Sequence, residues 1–142
     1  MHCKTKVKFH TSRFGELEVH EEKIIHFPDG VLGFPESKKY VLIDYKGTTI
    51  RWLQSVDDPD VAFIVVEPDK MFPDFSIQID GVIRKFLELD ESDSGLAILL
   101  MIRVENGKII ANINGPLLFN ANIMRGIQIV NENVRPVSNK KT

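Results

Sequence analysis

The sequence is short of the features that mark an exported or membrane protein. It has 142 residues and a single cysteine, Cys3, which excludes a disulfide within the chain. Its first ten residues contain no apolar stretch of the signal-peptide kind. The longest apolar run, residues 96–102, is far shorter than the about 20 residues that a membrane helix needs. We therefore expect a cytoplasmic protein with no membrane segment.

The chain also lacks an excess of basic charge. It has 20 acidic and 18 basic residues, for a net charge of -2, whereas nucleic-acid-binding domains usually carry a strongly basic face. Near the start, Lys4, Lys6, Lys8 and His10 alternate with other residues, which places them on one face of a strand. Such a stripe either binds phosphate, as in an RNA-binding module, or protects an edge strand from pairing with another chain. We favour the edge strand and expect no direct binding of nucleic acid.

Residues for catalysis or metal binding are sparse. His20 and His26 have two glutamates nearby, but a zinc site needs more ligands, closely spaced. Residues 90–95 resemble the start of a calcium loop, yet Met101 stands where calcium needs a bidentate glutamate. No glycine-rich phosphate loop or serine nucleophile motif occurs. We expect no metal, no cofactor and no enzymatic activity.

What the sequence does contain is short apolar runs separated by turn residues. Runs rich in Val, Ile, Leu and Phe cover residues 14–19, 40–43, 62–66, 75–79, 96–104, 109–113 and 127–130. This spacing predicts a mainly β, single-domain, antiparallel barrel-like fold with one short helix. We expect one domain over residues 1–142, with an N-terminal edge segment at residues 1–11 and a frayed tail at residues 138–142.

Two local structures can be assigned in more detail. Asn106-Gly107 joins two apolar runs and predicts a two-residue type I′ hairpin, with Glu105 and Lys108 opposite each other as an ion pair. Residues 80–89 have apolar side chains at helical spacing behind Asp80, which predicts a helix that Asp80 caps.

Large apolar residues also occur where turns are expected. The Pro- and Gly-rich residues 27–35 include Val31, Leu32 and Phe34, and residues 71–75 include Met71 and Phe72. Loops of this kind either fold their apolar groups over the core or present them to a partner. Both alternatives are open from the sequence.

At these segments the chain resembles the FliW family of bacterial flagellar assembly factors. The matching blocks are FGELEV at residues 14–19, FPDGVLGF at 27–34, WLQSVDDPDVAF at 52–63, residues 67–75 from Glu67-Pro68 to FPDF, and ANINGPLLFN at 111–120. The blocks keep the family's order over about residues 12–131. Gly115 stands where the family usually has alanine.

The resemblance implies a cytoplasmic, non-enzymatic bacterial protein with a barrel-like β fold. We expect the chain alone to be a monomer. Members of the family bind flagellin and the translational repressor CsrA. Once flagellin is exported, the freed factor engages the repressor away from its RNA surface and relieves repression of flagellin mRNA. The alternatives are a small-ligand-binding β-barrel, which would need a deep pocket, and an RNA-binding module.

We predict that partners bind at two acidic, proline-containing loops. The predicted contact residues are Asp57, Asp58, Asp60, Glu67, Asp69 and Phe72. They lie in the stretch most similar to the family, their prolines reduce the ordering cost of binding, and they combine carboxylates with an aromatic anchor. The competing interpretation is that Phe72 and Phe75 close the barrel end while the aspartates cap turns.

Overall fold

The computed structural model describes residues 5–68, 72 and 75–130. Within these ranges the strands are β1 (Lys6–Thr11), β2 (Gly15–His20), β3 (Ile25–His26), β4 (Lys39–Asp44), β5 (Ile50–Ser55), β6 (Ala62–Val66), β7 (Leu96–Glu105), β8 (Lys108–Ala111), β9 (Leu117–Asn120) and β10 (Arg125–Gln128). The α-helix α1 is Gly81–Phe86, and Glu21–Lys23 forms one turn of 3-10 helix. The prediction of a mainly β fold with one short helix is confirmed.

Seven strands form a closed barrel in the order β6-β5-β4-β3-β10-β9-β7, and β7 pairs back onto β6. Strand β7 closes the barrel because successive parts of it pair with three different strands. Its first residues pair with β9, Leu100 to Ile102 pair with β6, and its last residues pair with β8. The strands pair antiparallel, as predicted, except β3 and β10, which run parallel. These two strands come from opposite ends of the chain, so no tight hairpin has to connect them.

Side chains fill the interior of the barrel. The main buried cluster comprises Ile25, Phe27, Val31, Tyr40, Leu53, Val61, Val65, Leu99, Leu117 and Phe119. The rings of Phe27 and Tyr40 meet edge to face with centroids 5.6 Å apart. A small-ligand barrel needs an enclosed cavity among its strands, and this packed interior does not favour that alternative.

The N-terminal strands β1 and β2 form a separate two-stranded hairpin. Strand β1 pairs only with β2, as an edge strand should, although residues 1–4 lie outside the described residues. Lys8 lies opposite Glu18 and His10 lies opposite Glu16. The carboxylates opposite Lys8 and His10 reduce the positive charge of that part of the stripe, whereas Lys6 lies opposite His20.

The predicted hairpin at Asn106-Gly107 is confirmed. Asn106 and Gly107 have φ angles of 51° and 78°, and Glu105 is the register partner of Lys108. The predicted ion pair between Glu105 and Lys108 is wrong. The Glu105 carboxylate instead accepts a hydrogen bond from Arg103 Nε at 2.8 Å, because a neighbour two residues away on the same strand shares its face.

Helix α1 begins where predicted but ends early. The Asp80 carboxylate caps it by accepting from the Ile83 amide at 2.9 Å. The helix ends at Phe86 rather than residue 89 because Glu88 adopts a left-handed φ of 55° and the Leu89 amide bonds back to the Arg84 carbonyl at 3.0 Å. The side-chain amide of buried Asn120 donates a hydrogen bond to the Leu87 carbonyl at 2.8 Å, which joins the end of the helix to the barrel.

Glycine at the left-handed position after α1 should stabilise the fold. Glu88→Gly removes a Cβ that is unfavourable at this φ, so the free energy of unfolding should rise by about 0.5–1 kcal/mol in urea unfolding. The matched control Lys85→Gly, inside the helix, should lower it by about 1 kcal/mol. A loss of stability in both variants would contradict this account of the helix end.

Candidate partner-binding site

Residues 27–38, here called the aromatic loop, are a chain of tight turns. The bonds that close the turns run from the Gly30 amide to the Phe27 carbonyl, from Phe34 to Val31 and from Ser37 to Phe34, at 2.8, 2.6 and 3.1 Å. Gly30 has a φ of 72°, and a Cβ there would lie 2.6 Å from the Pro35 Cα. Any side chain at this position would clash with the neighbouring backbone, so this conformation of the loop requires glycine there.

The aromatic loop divides its apolar residues between the core and the surface. Phe27 and Val31 are buried in the main cluster. Leu32 is 68% exposed and Phe34 is 41% exposed. The inner edge of Phe34 contacts Phe63, with ring centroids 5.5 Å apart. Both alternatives left open by the sequence therefore apply, each to different residues of the same loop.

Residues 56–61, here called the acidic loop, are bonded to the aromatic loop through Asp57. Its Oδ2 atom accepts from the backbone amides of Lys38 and Lys39 at 2.8 and 3.1 Å. Asp58 Oδ1 accepts from the Asp60 amide at 3.0 Å, and Asp60 accepts from the Ser12 hydroxyl in the β1–β2 turn. The three aspartates cap turns and remain at the surface.

Buried hydroxyl groups form hydrogen bonds that link the acidic loop to the aromatic loop. Ser55 Oγ accepts from the amides of Asp57 and Asp58 at 3.0 and 2.9 Å and also bonds to the Ser37 hydroxyl. Burial raises the pKa of the Tyr40 hydroxyl, the nearby Ser37 hydroxyl lowers it in part, and Asp57 and Asp58 raise it further. Ser37 does not reach hydrogen-bond geometry, and the Tyr40 oxygen has no partner among the described residues.

An open cleft of about 400 Å³ lies between the two loops. We call it the inter-loop cleft; its lining residues are Gly33, Phe34, Pro35, Glu36, Ser37, Asp57, Asp58 and Pro59. Three of these side chains are carboxylates and one is an exposed aromatic ring. These carboxylates and the ring can make ionic and apolar contacts with a partner.

Comparisons with known proteins assign the family. A sequence model described as FliW protein matches residues 8–141. A protein named flagellar assembly factor FliW from Caldanaerobacter subterraneus subsp. tengcongensis is 32% identical over 130 residues, covering 89% of this chain and 87% of the relative. The one from Alkaliphilus metalliredigens is 37% identical over 125 residues, covering 84% and 76%. This chain belongs to the FliW family.

A solved relative supports the same assignment at the level of the fold. The crystal structure of the flagellar assembly factor FliW superposes on this chain with a TM-score of 0.82 and 29% identity. The match covers 89% of this chain and 90% of the solved chain. The closed barrel described above is therefore the FliW fold.

In this FliW protein the described residues among the six predicted contacts lie in two separate places. Asp57, Asp58 and Asp60 lie together before β6, whereas Glu67 follows β6, with Arg51 NH2 3.6 Å from its carboxylate. The five residues of β6 separate the two positions by about 17 Å at roughly 3.3 Å per residue. Phe72 packs on the second buried cluster of Val66, Leu100 and Ile102, and Asp69 lies outside the described residues.

The exposed apolar residues of the surface, Leu32 and Phe34, were not among the predicted contacts. The signal in the sequence was a Pro- and Gly-rich loop in which Gly33 lies between two large apolar residues, since loops that carry large apolar side chains often bind partners. The described ranges contain no group of three or more His, Cys, Asp or Glu suited to a metal. In the same ranges no helix is long and apolar enough to cross a membrane.

Removing the Tyr40 hydroxyl should flatten the alkaline pH dependence of stability. The folded pKa is raised above its ordinary value near 10, so the wild type should lose stability as pH rises above about 10, where only the unfolded tyrosine ionises. Tyr40→Phe should remove that loss. At pH 7 its free energy of unfolding should be unchanged or higher by up to about 1 kcal/mol, because an unpaired buried group is deleted. The control Tyr45→Phe, at an exposed position, should change neither quantity.

Truncating Phe72 tests whether this side chain belongs to the core. Its contacts with the second buried cluster predict that Phe72→Ala lowers the free energy of unfolding, by less than the roughly 3–5 kcal/mol of a fully buried phenylalanine. Phe34→Ala, at the exposed site, should lower it by clearly less. Weaker partner binding by Phe72→Ala with unchanged urea unfolding would instead make Phe72 an interface residue.

Proposed function

We propose that this chain is a non-enzymatic, cytoplasmic flagellar assembly factor that binds flagellin and antagonises the translational repressor CsrA. Relatives that align with this chain over most of their own length are named flagellar assembly factors. The observation that carries the proposal is the rigid surface formed by the aromatic and acidic loops, where apolar groups are held exposed beside carboxylates. Large exposed apolar side chains in a loop that cannot fold them inward are typical of a protein-binding surface.

The proposed partner contacts centre on Asp57, Asp58 and Asp60. These carboxylates favour a basic partner surface and would speed association more than they strengthen the final complex. Asp57 also bonds to backbone amides of the aromatic loop, so its charge has a structural role as well. Glu67 and Phe72, at the far end of β6, would belong to a separate contact.

The proposed regulation is a switch between two protein partners. While flagellin is abundant it occupies the factor; after export, the freed factor binds the repressor away from its RNA surface and lowers its affinity for flagellin mRNA. Coupling of this kind requires the factor to prefer the repressor state that binds RNA poorly. The chain has a net charge of -2, and glutamates oppose Lys8 and His10 of its basic stripe, so direct competition for the RNA is not favoured.

A reconstituted binding assay at fixed salt tests this function. The chain alone should bind flagellin leader RNA weakly, yet it should lower repressor occupancy of that RNA, and added flagellin should restore the occupancy. Fixed salt matters because charge-driven RNA binding changes steeply with ionic strength. Tight binding of the RNA by the chain itself, or repressor occupancy that the chain leaves unchanged, would contradict the proposal.

A further inference from the structure

The two loops concentrate negative charge that the molecule as a whole does not have. The aromatic loop (residues 27–38) and the acidic loop (residues 56–61) contain five acidic residues, Asp29, Glu36, Asp57, Asp58 and Asp60, against one basic residue, Lys38. Within the described residues the Glu36 carboxylate has neither an ion pair nor a hydrogen bond. The inter-loop cleft is lined by carboxylates and no base, so it complements a cation.

An apolar turn stands beside this cleft and is fixed from outside the loop. The Leu32 amide donates to Gln128 Oε1 at 2.7 Å, and Gln128 Nε2 donates to the Gly115 carbonyl at 2.8 Å. Gln128 thus joins the turn to strand β10 and to the segment before β9. A partner that docks on Leu32 would not have to order the loop first, which removes part of the usual cost of binding.

We propose that the partner docks here through an arginine side chain in the inter-loop cleft and an apolar side chain placed against Leu32. The identity of that partner, flagellin or the repressor, rests on the proposed function. The chemistry of the contact is independent of the proposed function, because it follows from Glu36, Asp58 and Phe34, which line the inter-loop cleft.

Arginine fits this opening better than lysine. Its planar guanidinium stacks on an aromatic face and bonds two carboxylate oxygens at once, whereas a lysine ammonium is a strongly hydrated point charge. The exposed part of Phe34 supplies the ring, and Glu36 and Asp58 supply carboxylates. Asp57 is the less available acid because its Oδ2 atom already accepts two backbone amides.

Paired variants test the surface with flagellin and with the repressor. Leu32→Ser and Glu36→Lys should each weaken binding of at least one partner about tenfold or more, with unchanged melting temperature, because they remove the anchor and reverse the unpaired charge. The controls are Val104→Ser, at an aliphatic residue 63% exposed on the β7–β8 hairpin, and Glu91→Lys, at an exposed acid outside the surface. Both should bind like the wild type. Equal effects in variants and controls, or none in either, would overturn the proposal.

A probe without any partner separates this proposal from the proposed function. N-acetyl-arginine amide, titrated against the intact chain by amide NMR, should shift the signals of Gly33, Ser37 and Asp58 more than N-acetyl-lysine amide does. The double variant Glu36→Gln with Asp58→Asn should abolish the difference. If the wild type binds neither flagellin nor the repressor but shows these shifts, the proposed function fails and the cleft stands. If the shifts are absent or spread over the whole molecule, the cleft assignment fails whichever partner binds.

Discussion

Three residue pairs between β6 and β7 close the barrel, and most of the structure depends on them. The pairs are Ile64 with Ile102, Val65 with Met101 and Val66 with Leu100. Without this ladder the sheet would be open, with free edges on β6 and β7 and with Val65 and Leu100 no longer enclosed. The antiparallel pairing of β5 with β6 directs the end of β5 and the start of β6 to one end of this barrel. The acidic loop lies at that end.

The proposed binding surface is held in place because polar side chains beside it hydrogen-bond to backbone amides and carbonyls. Ser55 accepts from two amides of the acidic loop, and Asp57 accepts from two amides at the end of the aromatic loop. Gln54 adds donors to the carbonyls of Ser55 and Val61 at 3.0 and 3.2 Å. These contacts explain how a Pro- and Gly-rich loop can hold Leu32 in water without collapsing onto the core. Because the loops are already ordered, binding carries little entropic cost of ordering them. The affinity for a partner then depends mainly on the exposed side chains.

Sequence reasoning succeeded where a local rule admits one conformation. Asn106-Gly107 requires positive φ at both residues, and Asp80 provides the cap that a helix start needs, so both features followed from a few residues. Sequence reasoning failed where a residue adopts a conformation or an environment that is unusual for its residue type. Glu88 adopts the left-handed conformation usual for glycine, which ended the helix early. Strand β5 was not predicted because buried Gln54 breaks its apolar pattern, and residues 75–79 alternate like a strand although they form no ladder.

The candidate contact residues show the same division at the level of the site. The predicted contacts Asp60 and Glu67 flank the five-residue strand β6, so they lie beyond its two ends and not side by side. Conversely, Phe34 and Asp58 are 24 positions apart and line one cleft, between two loops that Asp57 bonds to each other. Whether an apolar loop residue is buried or presented depends on long-range contacts such as that of Leu32 with Gln128. Sequence can therefore locate candidate loops for partner binding, whereas the fold determines which of their side chains are exposed.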